Sequence, residues 1–151
     1  MKIYLTLVAV FITIISFSQI TEGEDGLYYN QNKELYSGNY SEYFGNGQKK
    51  VEMHIKNGKK DGEIIIYFEN GKIKEKRAYK LNKNSGTWEI YNEKGVKLAL
   101  ANYLDGKKHG KWFIWDENGT LRFEMYYTNG KKSDNWKMWN EAGELISEKK
   151  Y

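Results

Sequence analysis

The sequence contains no cysteine and no proline. Without cysteine there are no disulfides, no thiolate nucleophile, no zinc ribbon and no lipid-bearing lipoprotein cysteine. The chain therefore folds without help from an oxidising compartment. Histidine is scarce, with only His54 and His109. Excess charge of one sign is scarce too: 24 Lys plus Arg stand against 20 Asp plus Glu, a net +4 over 151 residues. That balance argues against a nucleic-acid partner, which calls for a concentrated basic face. Glycine, by contrast, occurs 15 times and aromatics make up 16% of the chain. Many glycines and aromatics with no proline point to β structure joined by glycine-built turns.

One apolar run exists, and it lies at the start. Lys2 precedes Ile3 to Phe17, interrupted only by Thr6, Thr13 and Ser16. The run is shorter than the roughly 20 residues a spanning helix needs. A positive charge, a short apolar stretch and then small residues describe a secretory signal peptide over residues 1–18, cleaved between Ser18 and Gln19. An uncleaved amino-terminal anchor is the alternative. The expected location is exported: periplasmic, outer-membrane-associated or secreted.

The remainder is organised by a period of 24 residues without insertions. Gly38, Gly62, Gly86 and Gly110 form one column, and Tyr40, Ile64, Trp88, Trp112 and Trp136 another. Tyr43, Tyr67, Tyr91, Trp115 and Trp139 follow three positions on, then Gly47, Gly71, Gly95, Gly119 and Gly143. Ile55, Tyr79, Tyr103, Tyr127 and Tyr151 make a fifth column. Gly58, Gly106 and Gly130 make a sixth, with Asn82 in the remaining slot. The rows are 38–61, 62–85, 86–109, 110–133 and 134–151, together a repeat domain over 38–151.

Each row reads as a β-hairpin. Leu121, Phe123, Met125 and Tyr127 alternate with Arg122, Glu124 and Tyr126, the period of a half-buried strand. Asp116-Glu117-Asn118-Gly119 is a tight turn before it, and Thr128-Asn129-Gly130-Lys131 a tight turn after it. Short connections throughout make neighbouring strands antiparallel. The expected fold is all-β: an elongated single antiparallel sheet, a meander of about five hairpin repeats, with the aromatic columns stacked along it. At about 4.8 Å per strand, ten strands extend roughly 48 Å. Residues 19–37 form a lead-in, in which Leu27-Tyr28-Tyr29, a turn at Asn30-Gln31-Asn32 and Leu35-Tyr36 predict a short hairpin covering the first sheet edge. Open edges also invite edge-to-edge self-association.

Lys107-Lys108-His109-Gly110-Lys111-Trp112 and Trp115-Asp116-Glu117-Asn118-Gly119-Thr120-Leu121 resemble the bacterial variant of the MORN (membrane occupation and recognition nexus) repeat. Asn57-Gly58-Lys59-Lys60-Asp61-Gly62 and Tyr67-Phe68-Glu69-Asn70-Gly71-Lys72-Ile73 resemble it again. The likeness runs over 38–151 in register. The resemblance implies hairpin repeats in an elongated sheet, used for binding and scaffolding. Many bacterial members carry the label of an antitoxin, although export would separate this chain from a cytoplasmic toxin. Asp134-Asn135 depart from the pattern, which predicts a looser start to the last row.

Little in the sequence points to catalysis. The two histidines suggest no shared site, so no metal and no other cofactor are expected. Glu69, Glu93, Glu117 and Glu141 recur two strands apart, about 9.6 Å, too far for adjacent members to share one ion. No Ser–His–Asp grouping, phosphate loop or dinucleotide fingerprint is present, and the chain is read as non-enzymatic. The turn charges say more. The glutamates occupy one set of turns, while Lys59, Lys83, Lys107 and Lys131, reinforced by Lys60, Lys108 and Lys132, occupy the other. This predicts one acidic and one basic margin, the basic one suited to an acidic protein, anionic lipid heads or acidic glycans. Trp115 and Trp139 fall on the strand face opposite Trp112 and Trp136, where they could stack on sugars. The expectation is an exported scaffold that binds a protein or envelope component, with a glycan-binding module and an antitoxin-type binder as rivals.

Overall fold

The computed structural model describes residues 20–151, so the expected signal segment, residues 1–18, lies outside the described residues. Among the described residues fourteen strands are formed and no helix. β1 (Thr21–Glu22) and β2 (Tyr28–Tyr29) make a small sheet of their own. The rest are β3 (Gly38–Tyr43), β4 (Lys49–Lys56), β5 (Lys59–Tyr67), β6 (Ile73–Lys80), β7 (Lys83–Asn84), β8 (Gly86–Tyr91) and β9 (Lys97–Leu104). After them come β10 (Lys107–Lys108), β11 (Gly110–Trp115), β12 (Leu121–Thr128), β13 (Lys131–Trp139) and β14 (Leu145–Lys150). The spatial order β14-β13-β12-β11-β9-β8-β6-β5-β4-β3 follows the chain, with β10 and β7 as short extensions paired to β9 and β6. The expected single antiparallel meander is what forms.

Two kinds of turn build it, and they fall on opposite margins because successive strands run antiparallel. The first kind closes each hairpin. Phe44 N–H donates to Gln48 O at 2.8 Å and Gly47 N–H to Phe44 O at 2.9 Å, with Gly47 at φ 84°. A type I turn ending in a left-handed glycine leaves a one-residue bulge. All five hairpins show their register shift at that place, at Tyr43, Tyr67, Tyr91, Trp115 and Trp139. Where Asn or Asp opens the turn, its side chain ties it down: Asp116 Oδ1 accepts from Asn118 N–H and Thr120 N–H, both at 3.0 Å.

The second kind links rows through two residues, both at positive φ: Asn57-Gly58, Leu81-Asn82, Asp105-Gly106 and Asn129-Gly130. These are type I′ turns, whose twist suits antiparallel strands. Asn82, at φ 69°, takes the left-handed conformation of the missing glycine. The second residue of each turn donates its N–H to the carbonyl 22 positions earlier: Gly58 to Tyr36, Asn82 to Lys60, Gly106 to Asn84 and Gly130 to Lys108, at 2.7–2.9 Å. Successive turns on this margin are thereby strapped together. The last row keeps the form of the others. Asp134 adopts φ 56° in the glycine column, and its carbonyl accepts Tyr151 N–H at 3.0 Å. Its start is not loosened, because aspartate tolerates this conformation better than most side chains.

The aromatic columns stack on one face of the sheet. Tyr79, Trp88, Tyr103, Trp112, Tyr127, Trp136 and Tyr151 form a continuous ladder with centroid separations of 4.8–5.3 Å. The first two rows differ, with Ile55 and Ile64 in the ladder positions. Tyr28 packs against both and against Met53, and these four are the only buried hydrophobic residues among those described. The core therefore lies at one end, where the lead-in folds over the face. This corrects the expected lead-in geometry in two respects. Tyr28–Tyr29 pairs with Thr21–Glu22, and Leu35 contributes only a single bridge to Tyr29. The lead-in covers the ladder face, tied by Tyr28 N–H to Gly58 O at 2.9 Å, and leaves β3 as the outer strand.

Candidate binding surfaces

The period of two assigns every strand residue to a face. Trp112 and Ile114 share the ladder face, while Phe113 and Trp115 stand on the other, stacked at 5.6 Å and 30°. Trp115 and Trp139 occupy that opposite face, as expected, and both are half-buried. Trp139 offers its carbonyl to Arg122 Nε at 3.0 Å.

The tryptophans of the ladder also hold rows together. Trp88 Nε1 donates to Ala78 O at 2.9 Å, Trp112 Nε1 to Asn102 O at 3.0 Å and Trp136 Nε1 to Tyr126 O at 3.0 Å. The first two carbonyls also accept from Ser85 N–H and His109 N–H, each at 2.9 Å. These residues sit where the strand is interrupted ahead of Gly86 and Gly110. The indole thus reinforces a junction at which β8 and β11 pair with the preceding row through only two residues each. Gly62, Gly86 and Gly110 open these row starts at positive φ, and Gly71, Gly95, Gly119 and Gly143 close the hairpins.

The lysines divide into two sets. Lys108 Nζ lies 4.5 Å from the Trp112 centroid and 4.9 Å from that of Tyr127. Lys132 stands likewise over Trp136 at 4.2 Å and Tyr151 at 4.6 Å, and Lys60 over Tyr28 at 5.5 Å. The expectation that these three reinforce the basic margin is corrected: the ammonium groups of Lys108 and Lys132 stand over ladder rings, and that of Lys60 over Tyr28 of the lead-in. Lys59, Lys83, Lys107 and Lys131 are exposed at the type I′ turns, and among the described residues none is in an ion pair or over a ring. The Lys60–Lys108–Lys132 column is broken at Asn84, and there Arg77 from the neighbouring strand stands over Trp88 at 5.2 Å. The sequence reading passed over Arg77, although its alternation with Glu75 and Tyr79 puts it on the ladder face.

The carboxylates also divide. Glu69, Glu93, Glu117 and Glu141 are exposed on the hairpin turns. A second series, which the sequence reading missed, lies on the face opposite the ladder. Glu89 accepts from the Tyr91 hydroxyl at 2.8 Å and is ion-paired with Lys97. The Lys97 ammonium, followed by the Tyr91 hydroxyl, holds its carboxyl below the usual range, and Glu89 in return raises Lys97. Glu52 receives Lys49 and the Tyr67 hydroxyl and is lowered for the same reasons. Burial, aided by Glu52, pushes Tyr67 up to about 12. Glu124 accepts from Tyr126 at 2.7 Å. In each case the glutamate is stapled to an aromatic neighbour, so the series is structural.

His54 is exposed, with Nδ1 at 3.1 Å from Asn39 Oδ1. His109 lies at the strand break between β10 and β11, its Nδ1 buried without a partner among the described residues. No group of three or more His, Asp or Glu residues is placed to hold a metal among the described residues.

A single-layer, open sheet built from one hairpin repeated in register defines a β-repeat protein, with two long faces and two charged margins. The MORN repeat variant model matches residues 36–57, 60–81 and 108–129, each match beginning two residues ahead of the glycine that opens a row. The chain carries three repeats of that family. The third and fifth rows, outside the matched segments, keep the same hairpin, bulge and ladder geometry. No curated protein matches the chain.

Proposed function

We propose that the protein is an exported, non-enzymatic scaffold whose basic margin docks on an anionic component of the cell envelope or an acidic protein there. The carrying observation is the row Lys59, Lys83, Lys107 and Lys131: four exposed ammonium groups at equivalent turns, one every second strand. That spacing is about 9.6 Å, close to the Debye length of about 8 Å at physiological salt. A surface with repeated negative charge therefore meets all four at once, and each lysine near an anionic surface contributes about 1 kcal/mol. The strapping of the turns fixes the row before binding, which limits the ordering cost.

The test is co-sedimentation of the full chain with vesicles containing phosphatidylglycerol, beside capture from envelope extract, each at low and high salt. Capture that falls with salt, and that weakens about a thousandfold when all four lysines become glutamine, supports the reading. Binding indifferent to both overturns it. The Phe113–Trp115 stack on the other face supports a second reading, a glycan platform. Tryptophan fluorescence unchanged by millimolar peptidoglycan fragments removes that one. Recovery of the mature chain only from an envelope fraction, starting at Gln19, removes the antitoxin reading.

A further inference from the structure

β3 and β14 are the outer strands of the sheet, and each carries a large apolar side chain facing solvent. Tyr43 is 56% exposed and Ile146 57%, the two highest values among the large hydrophobics described. They belong to columns that meet wherever two rows join. Lys74 lines a groove with Tyr91, and Arg122 bonds the Trp139 carbonyl, each pair being 17 positions apart. Ile146 is the next member of the first column, and Tyr43 is the first member of the second.

The row junctions share one register. Glu52 faces Ile65, Lys76 faces Glu89, Leu100 faces Phe113 and Glu124 faces Lys137, with every pair 24 residues beyond the last. Beside them Val51 faces Ile66, Glu75 faces Ile90, Ala99 faces Ile114 and Phe123 faces Met138. Continued by one step, the series sets Glu148 opposite the position Ser41 holds in the first row, and Ser147 opposite that of Glu42. The ladder continues as well: Tyr79–Trp88, Tyr103–Trp112 and Tyr127–Trp136 are nine positions apart, and the next such pair is Tyr151 with the Tyr40 position.

We propose that copies of this chain associate head to tail, β14 of one copy against β3 of the next, in the register its own rows use. Ile146 then covers Tyr43 of the neighbour, and Tyr151 meets its Tyr40. Lys149 lies diagonal to Glu42 across the junction, within reach for cross-strand charge pairing, and Glu148 faces the neutral Ser41. The lead-in leaves the Ser41–Tyr43 edge open: it packs on the face over Ile55 and Ile64, with the Tyr28 ring 5.8 Å from that of Tyr40, and it bonds the β3 backbone only where Tyr36 hydroxyl donates to Asn39 O at 2.7 Å. A two-residue pairing zone is no handicap, because β6–β8 and β9–β11 pair through two residues each. A contact between unlike surfaces repeats, so the product is an open array or a ring.

The chain's lack of cysteine makes the register directly testable. Directly opposed antiparallel residues have Cα atoms about 4.5–5.5 Å apart, within disulfide reach. Full-length Ser41→Cys and Glu148→Cys variants are mixed with oxidised glutathione, with Lys150→Cys replacing Glu148→Cys as the off-register control. The expected result is a heterodimer from Ser41→Cys with Glu148→Cys, in large excess over either homodimer and over the control. Sedimentation of the unmodified chain should show mass rising with concentration, and Ile146→Asp should suppress the rise while leaving the far-ultraviolet circular dichroism unchanged. Efficient self-linking of Glu148→Cys, which would mean tail-to-tail pairing, overturns the proposal. So does a constant monomer mass up to millimolar concentration. Neither outcome depends on the basic margin, so this test fails or succeeds separately from docking.

Discussion

Lys108 holds its ammonium nitrogen 4.5 Å from the centre of the Trp112 ring, although its neighbour Lys107 is exposed at the adjoining turn. Alternation along a strand separates the two side chains, so they answer to different forces. A cation over an aromatic face contributes about 0.5–2 kcal/mol depending on its desolvation. Lys108→Met should therefore lower unfolding stability by about 1 kcal/mol and leave docking on anionic vesicles nearly unchanged. Lys107→Met should do the reverse. Urea denaturation and vesicle co-sedimentation on the same two variants separate the roles, and equal losses of stability would contradict the assignment.

Trp112 supplies both a ring to the ladder and an N–H to the Asn102 carbonyl. Trp112→Phe retains a ring and removes the hydrogen bond. The carbonyl keeps His109 N–H, so it is not orphaned, and the cost should be that of one ordinary hydrogen bond, about 1 kcal/mol. Trp112→Ala also removes the stacking and should cost several times as much. Because repeats contact only their neighbours, the larger loss should make the transition less cooperative. Urea curves followed separately by tyrosine fluorescence and circular dichroism would reveal this as non-coincident midpoints.

The ladder was legible in the sequence because Trp88, Trp112 and Trp136 recur at one period and that period fits one hairpin. The place of Tyr28 was not. Its partners Ile55 and Ile64 are aliphatic members of otherwise aromatic columns, and the space they leave is filled from a segment outside the period. The separate destinations of Lys59 and Lys60 were hidden for a similar reason: both are lysines beside a turn, and only the faces of the folded strand distinguish them. Arg77 stands in for a missing lysine across a strand boundary, a substitution that a column of equivalent positions does not show.

Leu81 is the one leucine at a first turn position of the type I′ links, where the other rows have Asn57, Asp105 and Asn129. It holds φ 48° and is 44% exposed. A left-handed conformation costs an ordinary side chain about 1–2 kcal/mol, and asparagine less. Leu81→Asn should stabilise the protein by about 1 kcal/mol, read as a melting temperature several degrees higher. An unchanged or lower midpoint would mean that the leucine makes a compensating contact.

Gly58 and Gly106 hold equivalent turns at φ 73° and 81°. A Cβ on Gly106 would meet nothing within 4 Å, whereas one on Gly58 would lie 2.6 Å from Leu35 Cδ2 and 3.2 Å from Tyr28 O. Both alanine variants bear the backbone penalty, about 1–2 kcal/mol. Only Gly58→Ala should also dislodge the lead-in. Hydrogen exchange at the Tyr28 N–H, which donates to Gly58 O, should accelerate strongly in Gly58→Ala and little in Gly106→Ala. Equal acceleration in the two would show that the lead-in is held by something other than this close approach.

Glu89 links stability to pH. Lys97 first, then Tyr91, hold its carboxyl below the ordinary glutamate range in the folded chain. A carboxylate lowered on folding stabilises the native state above its unfolded pKa, near 4.3, and that contribution disappears as pH falls through the folded value. Glu52 behaves in the same way through Lys49 and Tyr67. Stability should thus be flat from neutrality to about pH 5 and fall below it. Glu89→Gln should lower stability at pH 7 and flatten the fall between about pH 5 and 3, so that variant and parent converge in acid. Urea midpoints measured across that range decide the matter, and a Glu89→Gln curve running parallel to the parent at every pH would show that the Lys97 pair contributes nothing to it.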